Sequence, residues 1–549
     1  MMRTTSEKMR LAPKSISVRK ASFFQPLSLT LCWFALICLV SAVGLPASGF
    51  AQQAFKRHIT VYGSSTLLAR YPSDIANNYN LIITEYWNSA SVANIKTINS
   101  AVKSIFYRDL AGMLTSYDDW SAASQNPTWF VTDAVTNKPI VRRTFGWYLM
   151  DITNPAFRQH LVQYIQQKLT AYPVFDGVFL DDVWASIAPG NFVIEGTTTP
   201  ATFNPAYLQA YQGAVTTFLQ ALKTAIGSKL AVINSEPTTY VRNVDGVMLE
   251  GLFHGSTQAA TSYEPAVSWL ADMQTFANLL PLNKMILVES GSQGSGAALQ
   301  NQFLFSFASF LLLCNQNTSF FFETPTWSTQ LLPYPQYTQN FGPALASLPA
   351  SSFAATVVQR PMSSSLTGWA AATTGITLVQ ANGAPALQFV SNGPKGAYMS
   401  RCIDLSGAAT GALSISCSAE GSNVVPGKSS WMTFALLGKF CDANNNILQS
   451  GDDLLFGSGA YGWTPHSVSY QLPAGTRYYC VTALGFYPSS LGTGLVQNLQ
   501  INSVVPATQW FESTFLQATV FVNPSNTTAT TGIAKQPALA PQTAVIVSN

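Results

Sequence analysis

The chain has 549 residues, of which 47% are hydrophobic, 12% aromatic and only 10% charged. A chain of this length predicts two or three domains. The formal net charge of +3 comes from residues 1–51, which hold six Lys/Arg and one Glu, so the remaining chain has a net charge of −2. This weakly acidic remainder gives no reason to expect a nucleic acid or an anionic membrane as a partner.

The first 51 residues have the pattern of a signal peptide. A basic region from Arg3 to Lys20 precedes an apolar run from Leu27 to Leu45, and small residues then lead to a cleavage-type sequence that ends at Ala51. The alternative is an uncleaved membrane anchor, because the apolar run is nearly long enough to span a bilayer. We expect cleavage after Ala51, no membrane span in the mature protein, and a secreted, periplasmic or cell-envelope location.

Strand-like and helix-like segments alternate from about residue 55 to residue 345, a pattern typical of a parallel α/β fold. Helix starts are predicted at Asn154-Pro155, Asn204-Pro205 and Glu264-Pro265. Near-continuous apolar runs predict eight strands, several of which end in an acidic residue. These strands are residues 59–62, 81–84, 104–107, 175–181, 230–234, 246–250, 285–289 and 320–323. Eight such strands predict an α/β fold of the (β/α)8 TIM-barrel type over residues 52–350.

The composition changes after about residue 350. Ser, Thr, Gly and Ala dominate, and short alternating runs such as 386–389 and 432–436 replace the helical periodicity. This pattern predicts an all-β sandwich of the jelly-roll type over residues 360–505. Further strand-like runs predict a C-terminal β-element, residues 506–549, which we expect to pack on the barrel.

The cysteines of the C-terminal third indicate disulfides rather than a metal site. We predict that Cys402, Cys417, Cys441 and Cys480 form two disulfides, whose pairing the sequence leaves open. A zinc site is not expected, since there is no Cys-x-x-Cys pair and the chain has only four His. We expect neither a metal nor a cofactor.

Acidic residues at the carboxyl ends of parallel strands predict an active site at the barrel mouth. The alternation of side chains along a strand places Asp181, Glu250 and Glu289 on the inner face. Two carboxyl groups suit the cleavage of glycosidic bonds, which uses one as nucleophile or base and one as acid, ~5–5.5 Å or ~6.5–9.5 Å apart. We predict Asp181 and Glu250 as the catalytic pair, and Asp181 with Glu289 as the alternative pair.

Other polar and aromatic residues near the strand ends are predicted to contact a sugar. These are Glu85, Asp151, Asp182, Trp184, Asn234, Glu236, His254 and Glu323. Structural roles are the alternatives: Asp151 and Asp182 as caps, the glutamates as partners of Arg108 or Arg242, and His254 as a solvated loop residue. Asp176 is expected to be a structural turn residue at a strand entry, and the long segment rich in Trp between the third and fourth strands is expected to wall the cleft.

The segment Asp176-Gly177-Val178-Phe179-Leu180-Asp181 resembles the fourth-strand signature of glycoside hydrolases with barrel folds. The similarity is to hypothetical glycosyl hydrolase family 15 and, more distantly, to endo-α-1,4-polygalactosaminidase-like barrels; residues 149–155 share it. Residues 369–501 resemble a carbohydrate-binding jelly roll, and residues 518–525 resemble the small β-element that closes many glycosidase barrels. The resemblance implies a glycoside hydrolase, and the second group implies the same choice of Asp181 with Glu250.

Together these observations predict an exported glycoside hydrolase that cleaves a poly- or oligosaccharide, with a C-terminal module that binds carbohydrate. The alternative is a non-catalytic polysaccharide-binding protein of the cell envelope, whose barrel keeps the acids as ligands for hydroxyl groups. The fold by itself does not separate the two, because barrels host many functions. The predicted partner is a carbohydrate, with no nucleic acid.

Overall fold

The structure is a computed structural model. It describes residues 55–549 except for 64–65, 188, 235–236, 254–262, 265, 325, 327–329, 333, 346–347, 354, 359–362, 406–411, 429–431, 451–453, 474, 507–509, 526–527 and 534–535. The predicted signal peptide, residues 1–51, lies outside the described residues. Among the described residues, no helix combines the length and the apolar character needed to cross a membrane.

Eight parallel strands close into a barrel, which confirms the predicted (β/α)8 architecture. In chain order they are β1 Lys56–Val61, β2 Leu81–Thr84, β3 Lys103–Asp109, β4 Gly177–Asp181, β5 Leu230–Ile233, β6 Gly246–Leu249, β7 Met285–Gly291 and β8 Thr318–Glu323. Each strand pairs with the next one along the chain, and β8 pairs with β1. The acidic strand ends therefore meet at one rim of the barrel.

Helices occupy most connections between these strands. They are α1 Thr66–Arg70, α2 Pro72–Asn78, α3 Ser89–Ile98, α4 Trp120–Ser124, α5 Pro155–Ala171, α6 Pro205–Ile226, α7 Pro237–Tyr240, α8 Ala266–Leu279 and α9 Gly296–Leu311. Short 3₁₀ turns lie at Tyr86–Asn88, Pro127–Trp129, Pro189–Asn191, Val241–Asn243, Leu280–Leu282, Pro335–Thr338 and Ala350–Phe353. The Asn154 and Asn204 side chains accept hydrogen bonds from backbone N–H groups in the first turns of α5 and α6, which confirms both predicted starts.

Alternation along the strands separates the barrel interior from the surrounding shell. Phe179 of β4, Met248 of β6 and Leu287 of β7 belong to one buried cluster inside the barrel. Val178 and Leu180 belong instead to the outer cluster, between the strands and the helices. The predicted inward phase of β4, β6 and β7 is confirmed, and it directs the last inward residue of each strand into the mouth.

A small antiparallel sheet connects the two loops that follow β3 and β4. Its strands are Gly112–Met113, Ile140–Arg142, Tyr148–Leu149 and Phe192–Ile194. Ile140–Arg142 pairs with Phe192–Ile194, so a strand of the β4–β5 connection is hydrogen-bonded to the β3–β4 insertion. This sheet holds the aromatic-rich segment of the sequence beside the rim.

Two antiparallel six-stranded sheets follow the barrel and pack into a sandwich, as predicted. The first contains Ala355–Val358, Ile376–Ala381, Ala384–Ser391, Ala412–Val425, Gly459–Gln471 and Leu491–Pro506. The second contains Ala370–Ala371, Ala397–Asp404, Phe434–Cys441, Ile447–Ser450, Leu454–Gly457 and Tyr478–Phe486. Leu387 and Phe389 of the first sheet and Phe434 and Phe486 of the second share one buried core.

The disulfide prediction is wrong for two of the four cysteines. Cys402 and Cys480 are bonded, and they lie opposite each other on neighbouring strands. Cys417 and Cys441 are free and buried. They belong to different sheets, where each fills space in the core as a small apolar side chain.

The last part of the chain returns to the barrel. Phe511–Thr514, Ala518–Asn523 and Thr543–Ser548 form a three-stranded sheet, and Ala529–Ile533 pairs with Gln536–Leu539. Phe511, Phe515 and Val520 belong to the same buried cluster as the barrel helices. The Phe511 ring lies 4.9 Å from that of Trp269 in α8.

Candidate active site

Asp181 ends β4 at the barrel mouth and is surrounded by hydrogen-bond donors. Its Oδ1 accepts hydrogen bonds from the Asp182 backbone N–H at 2.8 Å and from the Asn234 side-chain amide at 2.9 Å. The Tyr107 hydroxyl donates to Oδ2 at 2.9 Å. Burial, and then the charge of Asp181, raise the pKa of Tyr107 well above its usual value, so this hydroxyl keeps its proton. Three donors stabilise a negative charge on Asp181 and fix the direction of the carboxylate.

Glu250 follows β6 directly and is linked to Asp181 through Asn234. The Asn234 amide nitrogen donates to Glu250 Oε2 at 2.6 Å as well as to Asp181 Oδ1 at 2.9 Å. The two carboxylate oxygens lie within those distances of one nitrogen, so they are at most about 5.5 Å apart. The structure thus brings together the predicted pair, and it places Asn234 between the two carboxylates.

The environment of Glu250 favours its protonated form. Desolvation is the main cause of its raised pKa, the Asn234 hydrogen bond opposes the rise, and the charges of Asp181 and Glu323 add to it. The residue is nevertheless exposed to solvent. A carboxyl group that holds its proton and remains accessible is suited to give that proton to a bound molecule.

Glu289, the alternative partner of Asp181, is buried on β7. Only 6% of the residue is exposed, and its Oε2 accepts a hydrogen bond from the Thr60 hydroxyl at 3.1 Å. Burial raises its pKa well above the usual value, and the charges of Glu250 and Glu323 raise it further. Glu323 ends β8 beside these two groups, so three of the predicted acids share one side of the mouth.

Sequence reasoning missed Asp109, which ends β3 next to Asp181. The two residues are paired in the register of β3 and β4, and Asp109 is 3% exposed. Burial and then the nearby charge of Asp181 raise the pKa of Asp109. The predicted strand stopped at Tyr107; continuing the inward alternation by one step, from Tyr107 to Asp109, supplies the signal that identifies this residue.

Asp182 does not stand at the start of a helix, since residues 183–187, which follow it, are not helical. Its backbone is left-handed, with φ 53°, and its Oδ1 forms an ion pair with Arg142 at 3.5 Å. Burial and the charges of Asp109 and Asp181 raise its pKa, whereas Arg142 opposes the rise. Trp184 lies on the same side of the mouth, stacked on Trp147 with the ring centres 6.1 Å apart.

The described part of the chain has no group of three or more His, Cys, Asp or Glu arranged to hold a metal ion. The carboxylates at the mouth are distributed over β3, β4, β6, β7 and β8, and they contact amide, hydroxyl and guanidinium groups. Carboxyl and hydroxyl groups are able to donate and accept protons.

Residues 78–360 match the family described as hypothetical glycosyl hydrolase family 15, and this match covers more than half of the chain. The chain belongs to hypothetical glycosyl hydrolase family 15. The resemblance seen in the sequence is therefore confirmed, and the protein is a glycoside hydrolase. No match was found among curated proteins.

Matches to solved structures have low sequence identity. The glycoside hydrolase domain of PelA from Pseudomonas aeruginosa is 16% identical, over 50% of this chain and 96% of that one, with a TM-score of 0.36. Ega3 from Aspergillus fumigatus, solved with galactosamine, is 12% identical over 53% and 100% of the two chains, with a TM-score of 0.34. The maltogenic α-amylase AmyB from Thermotoga neapolitana is 9% identical over 78% and 99%, with a TM-score of 0.34.

The remaining predicted residues of this family 15 hydrolase either make local contacts or lie outside the described residues. Asp151 holds a local turn, since its Oδ1 accepts hydrogen bonds from the Thr153 backbone and hydroxyl. Glu85 is buried after β2, where its Oε1 accepts from the Gly63 N–H at 2.6 Å. Glu236 and His254 lie outside the described residues. Asp176 has the predicted structural role, at the opposite end of β4, and pairs with Lys96 at 2.7 Å.

Proposed function

We propose that this glycoside hydrolase cleaves a poly- or oligosaccharide with retention of anomeric configuration, using Asp181 as nucleophile and Glu250 as acid and base. The observation that carries the proposal is the Asn234 amide, which donates to one oxygen of each carboxylate and keeps these two oxygens at most about 5.5 Å apart. Retaining enzymes have carboxyl groups ~5–5.5 Å apart, whereas inverting enzymes need ~6.5–9.5 Å to admit a water molecule.

In the first step, an Asp181 oxygen attacks the anomeric carbon and forms a glycosyl ester. The bond from this carbon to the leaving oxygen breaks, and the electron pair goes to that oxygen, which takes the proton of Glu250. The raised pKa of Glu250 supports its part in this step, because the acid must still hold its proton when the substrate binds. The Tyr107 hydrogen bond holds the Asp181 carboxylate in a fixed direction for this attack.

In the second step, the ionised Glu250 removes a proton from a water molecule. The water oxygen attacks the same carbon, the ester bond breaks, and its electrons return to Asp181. Two inversions at one carbon give net retention. Asn234 stays bonded to whichever of the two groups carries charge, which makes it a positioning residue for both steps.

Glu250 is better suited than Glu289 to protonate the leaving oxygen. Glu250 is exposed to solvent, whereas Glu289 is 6% exposed and hydrogen-bonded to Thr60 inside the barrel. A group that transfers a proton must come within hydrogen-bond reach of the acceptor. In this proposal Glu289 stays inside the barrel and takes no part in the proton transfer.

The proposal includes export and a carbohydrate-binding role for the sandwich. The signal-peptide pattern of residues 1–51 supports a secreted, periplasmic or cell-envelope enzyme. The sandwich borders the active-site side of the barrel, since a Cβ built on Gly459 would lie 3.3 Å from the Ala201 carbonyl oxygen in the β4–β5 connection. That position supports a module that presents polymer to the cleft.

A hydrolysis screen of the mature chain tests the proposal. Residues 52–549 are incubated with neutral, amino-sugar and uronic-acid polysaccharides, and the products are sized and examined by proton NMR during the first minutes of reaction. We expect one polymer class to be shortened and the first product to keep the anomeric configuration of the bond cleaved. Binding without hydrolysis would favour the non-catalytic alternative, and an inverted first product would remove the nucleophile role of Asp181.

A further inference from the structure

Arg142 connects the catalytic rim to the outer surface of the β3–β4 insertion. Its Nη1 lies 3.5 Å from Asp182, the neighbour of Asp181. Its guanidinium carbon also lies 4.9 Å from the ring centre of Trp184 and 5.5 Å from that of Trp147. A guanidinium held between rings and a carboxylate has a fixed orientation. Arg142 therefore provides a rigid surface that leads away from the catalytic pair.

Phe145 continues this surface beyond Arg142. Its ring centre lies 5.4 Å from the Arg142 guanidinium carbon, and the residue is 61% exposed. The turn that carries it is closed by hydrogen bonds from the Gly146 N–H to the Arg142 carbonyl, and from the Arg142 N–H to the Trp147 carbonyl. The Arg143 N–H also donates to the Asn191 carbonyl in the next loop. The Phe145 ring is thus exposed to solvent on a rigid turn, and Arg142 covers one of its faces.

The distances place Phe145 within reach of a sugar chain bound at the rim. The ring centre is 5.4 Å from the guanidinium carbon and Asp182 is 3.5 Å from Nη1, so the ring and the Asp182 carboxylate are at most about 10 Å apart. A linked sugar chain extends over distances of this order. Flat aromatic rings match the apolar faces of pyranoses, and a guanidinium donates hydrogen bonds to hydroxyl groups.

We propose that Phe145 and Arg142 form a distal saccharide-binding subsite, in which Phe145 stacks on a pyranose ring of a substrate chain whose cleaved bond lies at Asp181. This inference rests on the proposed function and extends it, because it makes the enzyme selective for long chains. The subsite takes a sugar unit with an exposed apolar face that stacks on Phe145 and with hydroxyl groups that accept hydrogen bonds from Arg142.

Substrate-length dependence tests the subsite in the mature chain. The two substrates are the polysaccharide that the wild type hydrolyses fastest in the screen and the p-nitrophenyl glycoside of its monosaccharide. For Phe145→Ala we expect kcat/KM on the polymer to fall about tenfold more than on the aryl glycoside, mainly through KM, which is the effect of one aromatic contact. Phe145→Trp keeps a flat ring and should restore the preference for the polymer.

Val135→Ala is the matched control, because Val135 is a 74% exposed apolar residue of the same insertion. It should leave both rates and the preference unchanged. Equal losses on both substrates for Phe145→Ala, or no loss on either, would overturn the subsite while leaving the proposed catalytic pair intact. Failure of the wild type to cleave any polymer would instead overturn the proposed function, and the subsite with it. Thermal melting of each variant shows that the comparison is made between folded proteins.

Discussion

Asp181 and Asp176 stand at opposite ends of β4 and provide a matched pair of substitutions. Asp181→Asn removes the charge that attacks the anomeric carbon, so we expect kcat to fall at least ~10³-fold with little change in melting temperature. Asp176→Asn removes an ion pair with Lys96 at the far end of the barrel, so it should reduce stability while activity persists. The measurements are initial rates and thermal unfolding of both variants. Asp181→Asn activity within tenfold of the wild type in a folded sample would be inconsistent with the nucleophile role.

The dependence of the rate on the leaving group distinguishes Glu250 from Glu289 as the general acid. Glu250→Gln cannot protonate the leaving oxygen, so the rate on natural substrates should fall ~10²–10⁴-fold. Activated aryl glycosides need little protonation, and their first step should retain much of its rate. The readout is the burst of released phenol for a series of leaving groups. If Glu289→Gln rather than Glu250→Gln shows this selectivity, the acid is Glu289.

Asn234 and Asp109 show how far single residues could be read from the sequence. Asn234, the last residue of the predicted fifth strand, is predicted to bind substrate, and the structure adds that its amide bonds Asp181 and Glu250. The sequence pattern predicts where a strand ends, but it does not predict which residues of other strands lie beside that end. Asp109 was missed because Arg108 interrupts the apolar run, although Arg108 points outward and pairs with Asp119.

At the scale of elements, two half-buried acids, Glu264 and Asp272, lie in the segment after β6 and on helix α8. Desolvation, with the neighbouring carboxyl, raises the pKa of Glu264, and desolvation raises that of Asp272 on α8. The Phe253 N–H points toward Asp272 Oδ2 at 3.5 Å, and Phe253 has a left-handed backbone with φ 68°. The Glu264 and Asp272 side chains are hydrogen-bonded to each other. This hydrogen bond requires at least one of the two acids to hold a proton, because like charges repel at close range.

This pair predicts a stability that falls as pH rises. The folded state holds a proton that the unfolded chain releases near pH ~4.3, so the free energy of unfolding decreases with pH above that value. Glu264→Gln supplies a hydrogen-bond donor that does not titrate. We expect this variant to be more stable than the wild type by about 1 kcal/mol or more at pH 8, and by less at pH 4. Chemical unfolding at both pH values measures this, with exposed Asp74→Asn as the control. A Glu264→Gln variant that is less stable than the wild type at pH 8 would contradict the shared proton.

The elements themselves were largely predictable. Helices α5 and α6 begin at Asn-Pro because the Asn side chain caps the first turn and Pro fits its first position, both of which are local effects. The disulfides were not predictable, since Cys402 and Cys480 meet only through the register of two strands 78 residues apart in sequence. Cys417 and Cys441 have the same local character and lie in different sheets.

At the scale of the whole molecule, the mouth of the barrel collects more carboxyl groups than cations. The carboxyl groups that meet there belong to Asp109, Asp181, Asp182, Glu250, Glu289 and Glu323. Among the described residues, the cation that forms an ion pair with one of them is Arg142, which pairs with Asp182. Clefts lined by one sign of charge select ligands by electrostatics. Burial first, and mutual repulsion after it, already raise the pKa values of Asp109, Asp182, Glu250 and Glu289. A sugar carboxylate would add a further negative charge to this group, so we expect the cleft to reject anionic sugars.

Uronic-acid polymers test this selectivity. We expect polygalacturonate and alginate to be hydrolysed at least ~10-fold more slowly than the best neutral or amino-sugar polymer at low ionic strength, because the sugar carboxylates are repelled. Between 0.01 and ~0.15 M salt the difference should narrow as screening increases. The measurement is the ratio of the hydrolysis rates on the two kinds of polymer across this salt range. A uronic-acid polymer as the best substrate at low salt would refute the electrostatic argument.

The sequence by itself determined the barrel, the sandwich and the inward phase of β4, β6 and β7, because strand alternation, apolar runs and helix caps are local patterns that act within a few residues. It also predicted Asp181 and Glu250 as the catalytic pair. Only the tertiary structure decided that Asn234 bridges them, that Asp109 lies beside them, and that Arg142 and Phe145 extend the rim. These contacts join residues on different strands and loops, and their distances depend on how the barrel closes and not on spacing along the chain.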